Sequence, residues 1–213
     1  MRIAVIGATG FVGSKVLTEA LHRGHQVTAI VRHPEKLPRH AQLVGKKADV
    51  YDAAQVAAAV EGHDAVISAF NPGWGDPDIY NLHVKGSVAI QAGVKQSGVK
   101  RLLVIGGAGS LEVAPGVQLV DTPHFPAQWK QGALGAREAL RLLKQETALD
   151  WTFVSPAVVL EPGQRTGKFR LGGDQVLMAG DAPAKISVED LSVAILDEIE
   201  KPQHIRKRFT AAY

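Results

Sequence analysis

Short apolar runs rich in β-branched residues alternate with amphipathic stretches along most of this chain. The runs Arg2–Ile6, Gln26–Val31, Lys47–Val50, Ala65–Ala69, Arg101–Ile105 and Trp151–Ser155 predict strands. Between them, Phe11–Arg23, Ala53–Val60, Ile79–Ser97 and Lys130–Thr147 carry a helical period. Nearly continuous apolar strands joined by helices describe a parallel sheet buried on both faces. Gly24, Gly62 and Gly98 each stand just past a predicted helix, where a left-handed cap is wanted. The pattern therefore predicts an α/β fold, a doubly wound parallel sheet with helices on both faces.

Three segments interrupt the alternation. The loops Phe70–Asp78 and Gly106–Gln128 follow strands at their carboxyl ends, where open parallel sheets bind ligands. The glycine-rich stretch Pro156–Gly180 reads as a small C-terminal substrate-side excursion with one hairpin. A last helix, Val188–Glu200 capped by Ser187, and a short strand, Phe209–Ala212, lead back into one domain spanning residues 1–213.

Composition narrows the classes. With 213 residues, 46% hydrophobic and 21% charged, the chain has the makeup of an ordinary globular domain. No apolar stretch approaches the ~20 residues of a membrane span. A core strand at the very start leaves no place for a signal peptide, so a cytoplasmic location is expected. The absence of cysteine excludes disulfides and thiolate catalysis. No His, Asp and Glu have metal-ligand spacing, and no metal is expected. Basic residues are dispersed apart from Arg206-Lys207-Arg208, which argues against a nucleic-acid footprint. A small-molecule acceptor is the expected partner; monomer and homodimer both stay open.

The chemistry concentrates at the amino end, where a strand runs into Gly7-Ala-Thr-Gly10-Phe-Val-Gly13 and then a helix. Gly7 lets the chain turn off the strand, Gly10 leaves the backbone open to a phosphate, and Gly13 lets the helix pack closely. The helix's first amides lack intrahelical partners and its dipole adds to them, so a pyrophosphate is the natural guest. Strand before and helix after is the context a Rossmann-type dinucleotide site requires. Sites that prefer NAD place an acid about 20 residues beyond the glycines. Here Arg32 stands at that place, and a guanidinium fork matches the 2′-phosphate of NADP. Asp49-Val50 suits the adenine amino group, although Asp49 could equally cap a turn before the helix at Ala53.

Together with Ile105-Gly-Gly-Ala-Gly-Ser-Leu111, Asp150-Trp-Thr-Phe-Val-Ser-Pro156, Ile186-Ser-Val-Glu-Asp190 and Arg208-Phe-Thr-Ala-Ala-Tyr213, these motifs cover essentially the whole chain. They resemble the atypical short-chain dehydrogenase/reductases of the NAD(P)H-binding, NADH-flavin reductase group, related to biliverdin reductase B/flavin reductase and to NmrA-like proteins. The resemblance implies that Thr9, Gly10, Phe11 and Val12 hold pyrophosphate and Arg32 the 2′-phosphate. It also implies Phe70 and Asn71 beside a ribose, Gly106 and Gly107 beneath the nicotinamide, and Pro156 and Ala157 against its carboxamide. NADP(H) is the implied cofactor, with NAD(H) an alternative.

One departure bears on mechanism. Typical members use a Tyr-x-x-x-Lys pair to protonate an alkoxide. Only Tyr51, Tyr80 and Tyr213 occur here, none with lysine four residues later; Pro126 takes the tyrosine's place and Lys130 stands near the lysine's. The expected serine is displaced to Ser110, a candidate hydrogen-bond donor to substrate. A flavin, as substrate rather than bound group, or a quinone needs positioning and stacking more than a tuned acid. The glycines at 106 and 107 leave room for a flat ring that Trp74, Phe125 or Trp129 could cover. His83 and His124 read as surface or helix-face residues rather than catalysts. Two other readings stay open: a redox sensor that binds NADP(H) without turnover, and a sugar-nucleotide epimerase-like carbonyl enzyme.

Overall fold

A computed structural model describes residues 1–213. The sheet strands are β1 (Arg2–Ile6), β2 (Gln26–Ile30), β3 (Leu43–Lys46), β4 (Ala65–Ser68), β5 (Arg101–Ile105), β6 (Asp150–Pro156), β7 (Arg170–Gly172) and β8 (Lys207–Ala212). Their spatial order is β3-β2-β1-β4-β5-β6-β8-β7. All pair in parallel except β7, which runs antiparallel to β8 at one edge. Helices α1 (Phe11–His22) and α5 (Val188–Glu200) cover one face. Helices α2 (Ala53–Val60), α3 (Ile79–Gln96) and α4 (Ala127–Leu143) cover the other. In β1 the two-residue period sends Ile3 and Val5 toward α1 and α5, and Ala4 and Ile6 toward the opposite layer. All four are buried, so the run reads as continuously apolar. No helix is long and apolar enough to cross a membrane.

The glycines at 24, 62 and 98 take φ of +77°, +74° and +80°, as the cap pattern requires. Ser187 caps α5 by accepting from the Asp190 amide at 3.0 Å. The third strand is a correction: it forms at Leu43–Lys46, not Lys47–Val50. β3 lies at the open edge of the sheet, where Val44 is 62% exposed, so no buried run marks it. Residues 47–50 form the connection that follows, with only Ala48 buried. Helix α4 starts at Ala127, directly after Pro126, and stops at Leu143. The preceding loop holds a two-stranded ribbon, Glu112–Ala114 with Val117–Gln118, turned at Gly116.

The excursion region contains one hairpin and, beside it, a parallel strand pair. Met178–Ala179 and Ala182–Pro183 form a hairpin about Gly180, while Val159–Glu161 pairs in parallel with Lys185–Ser187. Three acids on α1 and α5 anchor residues 163–167. Glu189 accepts from the Gly163 amide, and Glu19 accepts two bonds from Arg165 at 2.7 and 2.8 Å. Asp190, fully buried, accepts from Thr166 N, Thr166 Oγ1, Gly167 N and the Tyr213 hydroxyl. A buried carboxylate is tolerable only when its lone pairs are filled in this way.

Candidate functional site

The turn after β1 is fixed by two close approaches. Gly7 has φ +76°, and an ideal Cβ there would lie 2.6 Å from the Ala69 carbonyl oxygen. At Gly13 a Cβ would fall 2.1 Å from the Gly7 carbonyl oxygen, so only glycine lets α1 start against the turn. Gly10 differs: a Cβ would meet only Gly7 O at 3.3 Å, and the residue is exposed. Gly10 is also the N-cap of α1, which has no side-chain cap and no acid in its first turn. Asp52 caps α2 and Ser187 caps α5, whereas α3 and α4, like α1, start without a side-chain cap. α1 differs from these two in following the tight glycine turn at the carboxyl end of β1. The amides of Phe11, Val12 and Gly13 thus open a helix whose positive end nothing in the chain neutralises. Thr9 and Phe11 are exposed beside it, and Val12 is half-buried. These residues fit a dinucleotide diphosphate.

Arg32 follows β2 at the carboxyl edge of the sheet and is exposed, with no acid of the chain engaging its guanidinium. Its neighbour His33 pairs instead with Glu35 at 3.1 Å. Asp49 accepts from the Tyr51 amide at 3.0 Å, closing a local turn, while the cap of α2 is Asp52, which accepts from Ala54 and Gln55. The pattern Asp52-x-x-Gln55 is the signal that could have located that cap. Val50 packs against the core under α2 and α3. Phe70 reaches the same layer: its ring meets Tyr51 edge-on at 5.8 Å and occupies the space above Gly86. Its backbone, not its ring, therefore borders the Gly7 turn. Asn71 accepts from the Gly73 amide and remains exposed.

The other half of the carboxyl edge departs from expectation. Gly106 is required by the core: an ideal Cβ there would stand 1.9 Å from Cζ of Phe153, which is fully buried, while Gly106 itself is half-buried. Gly107 does face open space, its nearest neighbour being Ala136 Cβ at 3.8 Å. Pro156 and Ala157, at the end of β6, are buried. Ser110 is 2% exposed, and both its Oγ and its carbonyl accept from Arg208 at 2.9 Å. That hydroxyl belongs to internal packing and does not open onto the substrate side. Lys130 is exposed in the first turn of α4 and forms no ion pair within the chain. Trp74 lies across α4 at Gly132, where a Cβ would be 2.6 Å from its ring, yet it is 58% exposed. Trp129, 50% exposed, stands three residues before Gly132 on the same helix, and Phe125 is half-buried just ahead of it. His83 is the helix-face alternative, buried on α3 at its crossing with α4 against Gly135, and burial lowers its pKa.

Residues 7–202 match a family model described as NAD(P)H-binding. An uncharacterized protein of Bacillus subtilis, YwnB, is 40% identical over 213 residues, 99% of this chain and 97% of that one. A crystal structure from Bacteroides thetaiotaomicron, called a "putative epimerase", is 46% identical with TM-score 0.93, covering 100% of this chain and 96% of that chain. One from Streptococcus pneumoniae, called a "putative NADH-flavin reductase", is 36% identical with TM-score 0.86, covering 100% of this chain and 99% of that chain.

Proposed function

This chain belongs to the NAD(P)H-binding family, within the atypical short-chain dehydrogenase/reductases, and on that footing we propose that it is an NADPH-preferring reductase of a flat conjugated acceptor such as a free flavin or a quinone. The observation that carries the reading is the start of α1, capped by Gly10 alone, with no side chain and no acid to satisfy its amides. Phe11, Val12 and Gly13 would donate to the diphosphate there. The unengaged, exposed Arg32 would hold the 2′-phosphate, and the absence of a carboxylate at that position removes the usual reason to prefer NAD. A nicotinamide cofactor, once bound, supplies a hydride.

The acceptor side is argued from what α4 carries. With Pro126 where a tyrosine would stand and Ser110 buried under Arg208, no tuned acid is placed to protonate an isolated alkoxide. A conjugated ring that spreads the incoming charge needs none. Trp74 and Trp129 offer exposed indole surface for stacking and for excluding water, at levels one and two turns of α4 before Ala136, which lies against Gly107. The same missing acid argues against an epimerase-like carbonyl reaction, despite the name of the Bacteroides relative. It also favours one second reading, a sensor that binds NADP(H) without turnover. Anaerobic mixing of the protein with NADPH and FMN separates the two: steady loss of NADPH absorbance supports the reductase. Saturable cofactor binding with no turnover of FMN or a benzoquinone supports the sensor.

A further inference from the structure

The apolar layer beneath α2, α3 and α4 ends at Trp151 and Phe153 of β6. Beyond it, β8 turns Arg208 and Thr210 toward that face, and a groove of about 670 Å³ opens there, between Lys144 past the end of α4 and β7. Trp151 and Leu171 are its apolar lining; the Gly172–Gly173 backbone, the basic residues Arg206, Lys207 and Arg208, His204 and one acid, the half-exposed Asp174 paired with Arg208, complete its walls. It lies at the starts of β6 and β8, at the amino ends of the strands, away from the carboxyl edge that carries the candidate cofactor residues.

We infer that this groove docks an extended acidic segment of a partner polypeptide. Arg208 and His204 are occupied internally, Arg208 by Asp174 and Ser110, His204 by Glu198 at 2.8 Å. Arg206, at φ +55°, spends its Nε and one Nη on the Leu149 and Thr147 carbonyls and has the Asp150 carboxylate 3.8 Å away, so its charge is already answered although the side chain is half-exposed. Lys144 and Lys207 are exposed and have no partner in the chain. The charge left over is therefore positive, and it sits on two long flexible side chains, Lys144 and Lys207. A phosphate site calls for convergent, pre-oriented donors, and those donors are already used. What remains is a field that attracts and orients a run of carboxylates. β7 adds an unpaired sheet edge with Leu171 51% exposed beside the cations, which suits an extended chain better than a compact anion.

The test is fluorescence anisotropy of a fluorescein-labelled oligoglutamate peptide titrated with the full chain at low and at moderate salt. Binding is expected to be saturable and to weaken with salt. It should weaken by at least about tenfold in Lys144→Glu/Lys207→Glu, while the control Lys47→Glu/Lys168→Glu, with the same change in net charge, keeps most of it. Thermal unfolding of both variants checks that they fold. Equal loss in the two double variants would mean net charge alone is read and would overturn the proposal, as would absence of binding to the unaltered chain. Tighter binding of a labelled single-stranded oligonucleotide through the same lysines would overturn the choice of occupant.

Discussion

The ring of Phe153 fills the space a side chain at Gly106 would need: an ideal Cβ there would stand 1.9 Å from Phe153 Cζ. The glycine at the end of β5 is thus set by a core contact with β6. Gly106→Ala should destabilise the protein by about 1–3 kcal/mol through overpacking. At roughly 2–4 °C per kcal/mol for a chain of this size, that is a readable fall in Tm. Phe153→Leu in the same background should recover part of it, whereas Gly107→Ala should be close to neutral. A Gly106→Ala protein as stable as the parent would refute the packing account.

Glu19 is 4% exposed and its pKa is lowered to about 2, first by hydrogen bonds from Arg165 and then, against the cost of burial, by Arg23. A depressed carboxylate pKa gives stability that is present above the ordinary value of 4.5 and is lost as pH falls toward 2. Because Arg165 is itself half-exposed, we expect about 2 kcal/mol rather than the full linkage value. Urea unfolding at pH 6 and pH 3 should show Glu19→Gln losing less stability on acidification than the parent. Parallel losses would contradict this.

Tyr213 donates its hydroxyl proton to Asp190 at 2.9 Å, with Ser187 Oγ also 2.9 Å from that oxygen, tying Tyr213 to the clasp that holds Thr166 and Gly167. Tyr213→Phe should cost about 1–2 kcal/mol. It should also raise hydrogen exchange at Thr166 and Gly167 more than at α3. Unchanged protection at those amides would remove the clasp from the account.

For the adenosine end, Arg32→Ala should weaken NADPH binding about ten- to hundredfold, roughly 1.5–3 kcal/mol, and leave NADH binding nearly unchanged. Equal loss for both nucleotides, measured by calorimetry, would defeat the assignment of Arg32 to a phosphate.

How much of this was legible in the chain depended on how local the cause was. The strand–turn–helix at Gly7–Gly13 and the left-handed caps at Gly24, Gly62 and Gly98 are set by neighbours a few residues away, and all were readable. β3 was misplaced because an edge strand with exposed Val44 buries too little to impose a pattern. The packing reason for glycine at 106 leaves no local mark, because its neighbour Phe153 is distant in sequence. Ser110 was misread for the same reason, its partner Arg208 arriving from the last strand. Even the parallel pairing of Val159–Glu161 with Lys185–Ser187 joins segments whose separation leaves no short-range mark.

The central claim is that the open start of α1 seats a dinucleotide and Arg32 selects its phosphorylated form. Isothermal titration of the unaltered chain with NADPH and with NADH tests it directly. Saturable one-site binding, tighter for NADPH by at least about tenfold, is the predicted result. No saturable heat with either nucleotide, by a protein that unfolds cooperatively in the same buffer, would contradict it.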